Sequence, residues 1–265
     1  FSSGIGGYVR ERTVPGYENS RIVSISDDRS GRRLGQFSGR IRPSPLMGIE
    51  VFQVRTQAEL RAFIRLPAVL PGRRPNYVPP IWSEEKGWHD PGRNPLLRDQ
   101  ATIRFLARSN GRLVGRIMGL VHKGYNASHN ERTARFYQLE AIDDQDVVRL
   151  LLSRAEAWAR EQGMDRIIGP FGLSDKDPQG MQVEGFEHLP VIATPTNPTY
   201  LPALVEALGY AKHAECLSYR MAVPETVPER YERVAQHVLR SEGLTVKTFK
   251  DRKELKRWIV PVLEL

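Results

Sequence analysis

An Asn-Gly turn between two apolar strands is the feature that most restricts how this chain of 265 residues can fold. Residues 101–108 and 113–121 are rich in apolar and β-branched side chains, and Asn110 and Gly111 stand between them. Both central residues of a two-residue hairpin turn need positive φ angles, which Asn and Gly adopt at the least cost. The sequence therefore predicts an antiparallel hairpin in the middle of the chain.

Further strands and helices are predicted on both sides of this hairpin. Strands are expected where apolar and polar residues alternate, at 49–55, 134–142, 165–171 and 214–223. Helices are expected at 145–162, at 201–208, at 83–89, and after Thr56, whose spacing to Glu59 is that of a capping box. In the strand 134–142, simple alternation places Phe136 and Gln138 on one face and Tyr137 and Leu139 on the other.

This order of elements predicts a mixed α/β (α+β) fold over residues 47–225. The central hairpin and the alternation of strand and helix after it favour a mostly antiparallel sheet with helices on both faces. Residues 1–46, rich in Arg, Gly and Ser, are predicted to form a flexible arm. Met47 directly precedes the first predicted strand, so either it is the natural start or the chain is a piece of something longer.

The last forty residues are predicted to contain a linker helix and the start of an incomplete second module, over 226–265. Residues 244–261 follow the strand, cap and helix pattern of 49–66, with four identities, and Asp251 stands where Thr56 caps the first copy. The alternative is that any strand followed by a helix looks like this.

Charge and composition exclude several classes of protein. The formal net charge is +8, but residues 1–46 hold eight arginines against four carboxylates, and no basic stripe alternates with aromatics, which makes a nucleic-acid partner unlikely. No apolar run approaches the ~18 residues of a membrane span, so we expect no membrane partner. Cys216 is alone and no Cys/His cluster has metal-ligand spacing, which predicts a reducing, cytoplasmic compartment and no metal site.

Three stretches resemble the GNAT N-acetyltransferase superfamily. They are the hairpin IRFLARSNGRLVGRIMGLV, the strand and helix ARFYQLEAIDDQDVVRLLLSRAEAWAREQG, and the late segment NPTYLPALVEALGY. The resemblance implies a GNAT-like sheet and transfer of an acyl group from acetyl-CoA or another acyl-CoA to a small-molecule amine. It requires no metal and leaves a homodimer open.

The resemblance also implies where the reaction takes place. Strand amides near Leu139 and Ala141 would hold the acyl-CoA, and Glu140 would act as the general base. The start of the following helix would bind the pyrophosphate, through Gln145, Val147 and Val148. The family often carries a Tyr acid four residues before the glycine of its late helix. Here Val205 occupies that position, and Tyr200 is the candidate substitute.

The start of the helix at 145 departs from the family pattern. The positions that are usually basic or glycine fall on Asp143, Asp146 and Val148, and Asp144 lies among them. These carboxylates favour the helix as caps and through its dipole, but they repel a phosphate. The alternative function is therefore a catalytically inactive GNAT-like module that binds a ligand or supports a structure.

The segment 172–200 is the longest stretch predicted to lack regular structure. Loops of this length are usually functional or disordered, and this one has apolar anchors among its polar residues. Such a loop is a default location for substrate contacts. Glu184 and Asn197 are the contacts that we predict there.

Overall fold

The computed structural model describes residues 18–26, 48–71, 76–192, 194–220, 225–241 and 246–264, with the backbone alone for 18–26, 219–220 and 241. Met47 and most of the predicted arm lie outside the described residues. The chain divides into two units, Phe1–Arg220 and Met221–Leu265, which we describe separately.

The first unit contains one sheet of eight strands among its described residues. The strands are β1 (Glu18–Ser26), β2 (Ile49–Gln53), β3 (Ala101–Ser109), β4 (Arg112–Val121), β5 (Thr133–Ala141), β6 (Arg166–Gly169), β7 (Met181–Gln182) and β8 (Ala211–Arg220). Their order is β2-β3-β4-β5-β6-β1-β7, and β8 pairs with β1. Every pairing is antiparallel except the one between β5 and β6.

Among the residues that the structure describes, five α-helices accompany this sheet and two belong to the second unit. They are α1 (Gln57–Val69), α2 (Trp82–Trp88), α3 (Lys123–His129), α4 (Gln145–Glu161) and α5 (Leu201–Ala207), followed by α6 (Glu229–Ser241) and α7 (Arg252–Leu263). The predicted mixed, mostly antiparallel sheet with helices on both faces is confirmed, and it is consistent with a GNAT-like fold.

The helices α1 and α4 pack against opposite faces of the sheet. The apolar stripe of α4, including Val147, Leu151 and Trp158, is buried against one face of β3, β4 and β5. On the other face Phe63 and Leu66 of α1 are buried against the opposite side chains of the same strands. Each face is thus closed by one amphipathic helix, as layered α/β packing requires.

Two local predictions are confirmed in detail. Asn110 and Gly111 adopt φ angles of 49° and 77° and connect β3 to β4. The Thr56 side chain accepts a hydrogen bond from the Glu59 backbone, while the Glu59 carboxylate accepts one from the Thr56 backbone at 2.9 Å. Both structures depend on neighbouring residues only, which is why the sequence was sufficient.

Three of the labelled elements were not predicted: the short strand β7, within the segment 172–200 that was predicted to lack regular structure, strand β1 and helix α3. Strand β1 lies within the segment predicted to be an arm, and it pairs antiparallel with β8 along its length. Helix α3 lies between β4 and β5 and ends at Asn130, which has a left-handed φ of 51°. The local sequence of β1 has little apolar periodicity, so it gave no signal for a strand. The strands that pair with β1 lie far along the chain and meet it only in the folded protein.

In the second unit, α7 begins after Asp251 as predicted. The Asp251 carboxylate accepts a hydrogen bond from the Glu254 backbone at 2.8 Å. Residues 246–250, just before it, form no strand, and 242–245 lie outside the described residues. The cap of the proposed repeat is present, while the repeat itself stays a prediction.

No helix in the described part of the chain is both long and apolar enough to cross a membrane.

A glycine marks the point where β5 and β6 diverge. The ladder between them includes only Thr133, Ala134 and Arg135 of β5. Gly169, the last residue of β6, packs directly against Phe136. A Cβ on Gly169 would overlap the backbone oxygen and the ring of Phe136. Because the conflict involves backbone, a side-chain rotation cannot relieve it.

We therefore expect Gly169→Ala to lower the free energy of unfolding by about 2 kcal/mol or more, as overpacking in a closed site does. The matched control is Gly124→Ala in α3, where a Cβ would make only ordinary van der Waals contacts. Chemical denaturation of the two variants checks this. Equal stabilities would show that β5 and β6 separate easily at this point.

Candidate active site

A β-bulge at Gln138 shapes the end of β5. The pairing with β4 moves from Arg116 opposite Glu140 to Met118 opposite Tyr137, so two residues of β5 face one residue of β4. Gln138 itself has a positive φ of 50°. Such a bulge bends the strand and reverses the alternation of its side chains beyond it.

The predicted alternation along β5 is therefore wrong. Phe136 and Leu139 both belong to the core on the α4 face, whereas Tyr137 belongs to the core on the α1 face. The bulge adds one residue between Phe136 and Leu139, and this places Leu139 on the same side as Phe136. Simple period-two counting cannot detect an inserted residue.

Beyond the bulge, the edge of β5 on the β6 side has no ladder partner among the described strands. The last β5–β6 ladder pair is Arg135 with Ile168, and the Phe171 amide then donates to the Phe136 carbonyl at 2.9 Å. Further along, the Tyr200 hydroxyl donates to the Ala141 carbonyl at 2.8 Å. Between the contact at Phe136 and the contact at Ala141, β5 and β6 are no longer paired and the two strands diverge.

A cavity of about 230 Å³ lies beside this splayed edge. One wall is the bulged part of β5 with Arg116 of β4, and the opposite wall is the turn of residues 194–197 with Met181. Helix α1 and the loop that follows it close the remaining side, through Ile64, Pro67, Tyr77, Val78 and Pro80. The cavity is therefore built by elements that lie far apart in the sequence, from α1 to α5.

A buried charge pair lies on the cavity wall. Arg116 and Glu140 are opposite one another on adjacent strands and are only 6% and 7% exposed. Arg116 Nη1 donates to the Phe63 carbonyl at 2.7 Å and to the Ile64 carbonyl at 3.3 Å. Burial lowers the pKa of Arg116, and the charges of Glu140 and Glu85 oppose this. A buried charge is tolerated only when opposite charge and acceptors surround it in this way.

A second polar chain runs from the cavity into the α1 face. Gln138 Nε2 donates to Glu85 Oε1 at 2.7 Å, and His89 Nε2 lies 3.7 Å from the same oxygen. Arg104 Nε donates to His89 Nδ1 at 2.9 Å. Because Nδ1 accepts, the neutral imidazole carries its proton on Nε2, directed at Glu85.

The ionisation of this chain follows from burial and charge. Burial, assisted by the Arg104 charge, lowers the pKa of His89 despite the neighbouring carboxylate. Burial alone would raise the pKa of Glu85, but His89, Arg116 and the Gln138 amide outweigh it and lower that pKa. Burial also lowers the pKa of Arg104 to about 10. The chain is therefore held with Glu85 ionised and His89 neutral.

Two polar atoms on the cavity wall have no hydrogen-bond partner within the described residues. They are Arg116 Nε, a donor, and Gln138 Oε1, an acceptor. Buried polar groups are nearly always satisfied, and those that are not are frequently completed by a ligand or water. Both residues line the cavity, while these two atoms are themselves fully buried behind its surface.

The start of α4 does not fit a pyrophosphate. Asp144 Oδ1 accepts the backbone hydrogen bonds of Asp146 at 2.8 Å and Val147 at 3.2 Å. These amides are the ones that would otherwise face a phosphate. Asp146 adds a second carboxylate, which pairs with Arg149 Nη2 at 2.8 Å. The carboxylate cap expected from the sequence is therefore present at Asp144, and it occupies the place of an anion.

The other predicted binding residues of α4 have structural roles. Gln145 Nε2 donates to the Leu204 carbonyl at 2.9 Å and so connects α4 to α5. The side chains of Val147 and Val148 are fully buried in the core, which leaves only their backbone for any ligand. Leu139 lines the cavity, and Ala141 is buried beside it.

The two predicted substrate contacts lie in different surroundings. Asn197 lines the cavity and is 8% exposed, and its amide accepts from the Gln182 backbone at 2.7 Å and donates to the Gln182 and Pro198 carbonyls. It therefore holds β7 to the turn that forms the wall. Glu184 is exposed and is not part of the cavity wall.

Sequence reasoning missed Arg116, Glu85, His89 and Gln138. Arg116 carried a signal, since it is a charged residue inside a strand of apolar neighbours. The others carried none, because α2 and β5 meet only in the folded chain. No group of three or more His, Cys, Asp or Glu side chains that could hold a metal occurs among the residues that the structure describes.

The chain is similar to two curated bacterial proteins. One is named bacterial ceramide synthase, from Caulobacter vibrioides (strain NA1000 / CB15N), with 33% identity over 186 residues, covering 70% of this chain and 48% of that protein. The other is Protein YghO of Escherichia coli (strain K12), with 32% identity over 163 residues, covering 62% and 42%. The chain spans about half the length of the curated relatives it matches.

No protein-family model matches the chain. Among solved structures, a functionally unknown conserved protein from Staphylococcus epidermidis ATCC 12228 aligns with a TM-score of 0.41 and 10% identity, over 77% of this chain and 62% of that one.

The cap of α4 gives a test that separates helix capping from charge. We expect Asp144→Ala to lower the free energy of unfolding by about 1 kcal/mol, because two backbone amides lose their acceptor. The matched variant Asp144→Ser keeps a capping oxygen without the charge and should stay within about 0.5 kcal/mol of the parent. Denaturant titration of both variants decides. Equal losses would mean that the charge, and not the hydrogen bonds, stabilises α4.

The polar chain predicts a loss of stability in acid. The pKa of His89 is lower in the folded protein than its usual 6.5, so below that pH the unfolded chain binds more protons. The free energy of unfolding should therefore fall as the pH drops below about 6.5. His89→Gln keeps an acceptor for Arg104 and should have a flatter slope between pH 7 and 5. Identical slopes would show that His89 does not couple folding to protons.

Proposed function

We propose that this protein is an N-acyltransferase, which moves an acyl group from an acyl-CoA or a related thioester to an amine. The observation that carries the proposal is the bulged, splayed edge of β5 beside a cavity that contains the buried Glu140. The name of the Caulobacter vibrioides relative, a ceramide synthase, supports acyl transfer, since a ceramide is an amino alcohol acylated on nitrogen.

The bulge supplies the site for the thioester. The edge of β5 near Leu139 has no ladder partner among the described strands, and in this proposal its backbone amides donate to the thioester carbonyl. Such fixed donors stabilise the charge that develops on oxygen. The amine then attacks the carbonyl carbon, so that a C–N bond forms and the C–S bond breaks. Holding the two groups in contact accounts for much of the rate.

Glu140 is the group placed to take the amine proton. It lies on the cavity wall, next to the bulge and opposite Arg116. A carboxylate can accept a proton in a general-base step, and Arg116, opposite it on the adjacent strand, acts as its positioning residue.

Tyr200 is the group placed to protonate the leaving thiolate. Its hydroxyl lies at the open edge of β5, where it donates to the Ala141 carbonyl. The spacing from Gly209 differs from the family pattern, but the tertiary structure brings this hydroxyl to the end of the splayed edge. The residue at the expected spacing, Val205, is fully buried and apolar.

The donor is held by its thioester end and not by its phosphates at α4. Asp144 already accepts the amides at the start of that helix, so a pyrophosphate would meet a carboxylate there. Two like charges at ~4 Å repel by about 4 kcal/mol at an effective dielectric near 20. No step of the proposed reaction involves a pyrophosphate bound at this helix.

The acceptor that fits the cavity is an amine with a neighbouring hydroxyl or carbonyl oxygen. The polar side chains of Arg116 and Gln138 line the cavity together with Glu140, and the proposed role of these two side chains is to bind that oxygen. A long-chain amino alcohol has this polar group at one end, and its apolar chain can leave past Val78 and Pro80. The alternative function is an inactive GNAT-like module, and the carboxylates at α4 are the observation that favours it.

The direct test incubates the chain with palmitoyl-CoA and sphinganine, and measures thiol release together with the amide product by mass spectrometry. Glu140→Gln should lower the rate by at least ~100-fold near neutral pH, which is the usual contribution of a general base. The loss should shrink at high pH, where the amine is already unprotonated. Tyr200→Phe should give a smaller loss.

The matched control is Glu161→Gln, an exposed carboxylate at the end of α4, which should retain the parent rate. Thermal unfolding of each variant separates lost chemistry from lost structure. No thiol release by the parent chain, together with calorimetric binding of the amine alone, would favour the inactive module.

A further inference from the structure

We propose that the face of α1 and the loop after it dock on an anionic lipid bilayer. The sequence argued against a membrane partner because no segment is long enough to span one. Docking at the surface needs no such segment, only apolar side chains that enter the interface and cations that meet lipid phosphates. Both features occur together at the end of α1.

The cationic part is a hollow of about 710 Å³ that we call the arginine groove. Its rim carries Arg61, Arg65 and Arg112, which are exposed. Its floor is apolar and consists of Ala62, Leu66, Val69, Pro71, Leu113, Val114 and Ile142. No carboxylate belongs to this described lining, so the groove is complementary to an anion that also carries apolar groups.

Cations near an anionic membrane surface each add to the attraction. The three arginines of the groove, two on α1 and one at the start of β4, therefore give an attraction that a single arginine would not.

The apolar part includes Val78, which lines the cavity, and Leu189 and Val191, which line a neighbouring hollow that shares Thr194 and Pro195 with the cavity. We call it the apolar rim, and it consists of Val69, Val78, Ile81, Leu189, Val191 and Ile192, which are 58–93% exposed. The Asn76 side chain donates to the Phe186 carbonyl at 2.7 Å and thereby joins the two loops that carry the rim. Exposed apolar patches of this kind mark sites of interaction with other proteins or membranes.

Helix α1 connects the two parts. Its Ile64 and Pro67 line the cavity, while Arg61 and Arg65 line the arginine groove. A bilayer on this face would meet the arginines with its phosphates and the apolar rim with its interface. It would then cover the mouth of the cavity. If the proposed function holds, a long-chain amine could pass from lipid to cavity without crossing water, but the docking itself does not depend on that.

A vesicle sedimentation assay tests the proposal with the full chain. The parent protein should pellet with vesicles that contain phosphatidylglycerol and much less with vesicles of phosphatidylcholine alone. The triple variant Arg61→Gln, Arg65→Gln, Arg112→Gln should bind the anionic vesicles about 10-fold more weakly or worse. The matched triple is Arg132→Gln, Arg154→Gln, Arg160→Gln, which removes the same charge away from the groove and should bind like the parent.

The fluorescence of Trp82, next to Ile81, provides a second measurement, which a change in net charge alone would not affect. Lipids brominated in their acyl chains should quench its fluorescence when the apolar rim enters the interface, and Trp82→Phe should remove that quenching. Equal binding by the two arginine triples would overturn the proposal, and would assign the attraction to net charge or to residues 1–46. No binding of the parent to anionic vesicles would also overturn it, and would leave an acidic protein as the partner of this face.

Discussion

The one-residue bulge at Gln138 is the constraint on which the candidate site depends. It turns the end of β5, so that Leu139 packs on the α4 face while Glu140 stays opposite Arg116. Without the extra residue, β5 would continue as a flat strand and its side chains beyond Tyr137 would exchange faces. The open edge of β5 and the position of the buried Glu140 on the cavity wall both follow from this irregularity.

The burial of Arg116 is a second constraint on the candidate site, and it is electrostatic. A guanidinium removed from water is stable only because two α1 carbonyls accept from it and two carboxylates lie nearby. The same requirement fixes α1 against β4 and α2 against β5. The polar chain through Glu85 and His89 thus belongs both to the stability of the α1 face and to the shape of the cavity.

The two ends of the candidate site lead to different conclusions about the donor. The strand end has the open backbone that a thioester needs, whereas the helix end has carboxylates where a phosphate would bind. A protein that keeps the first and loses the second can still position an acyl group, because reaction occurs at the thioester and not at the phosphates. The proposed function therefore depends on how the strand end can hold a thioester, and not on recognition of CoA at α4.

Local signals in the sequence determined the hairpin at Asn110 and Gly111, the capping box at Thr56 and the buried stripe of α4. Each depends on residues within a turn or two of one another, so the sequence alone was sufficient. The sequence also indicated Asp144 as a helix cap for the same reason. Only the tertiary structure decided the bulge, strand β1 and the meeting of Arg116 with Glu85, because these require partners far along the chain. The position of Tyr200 at the open edge of β5 belongs to that second group, since loop 172–200 places it there by packing and not by spacing.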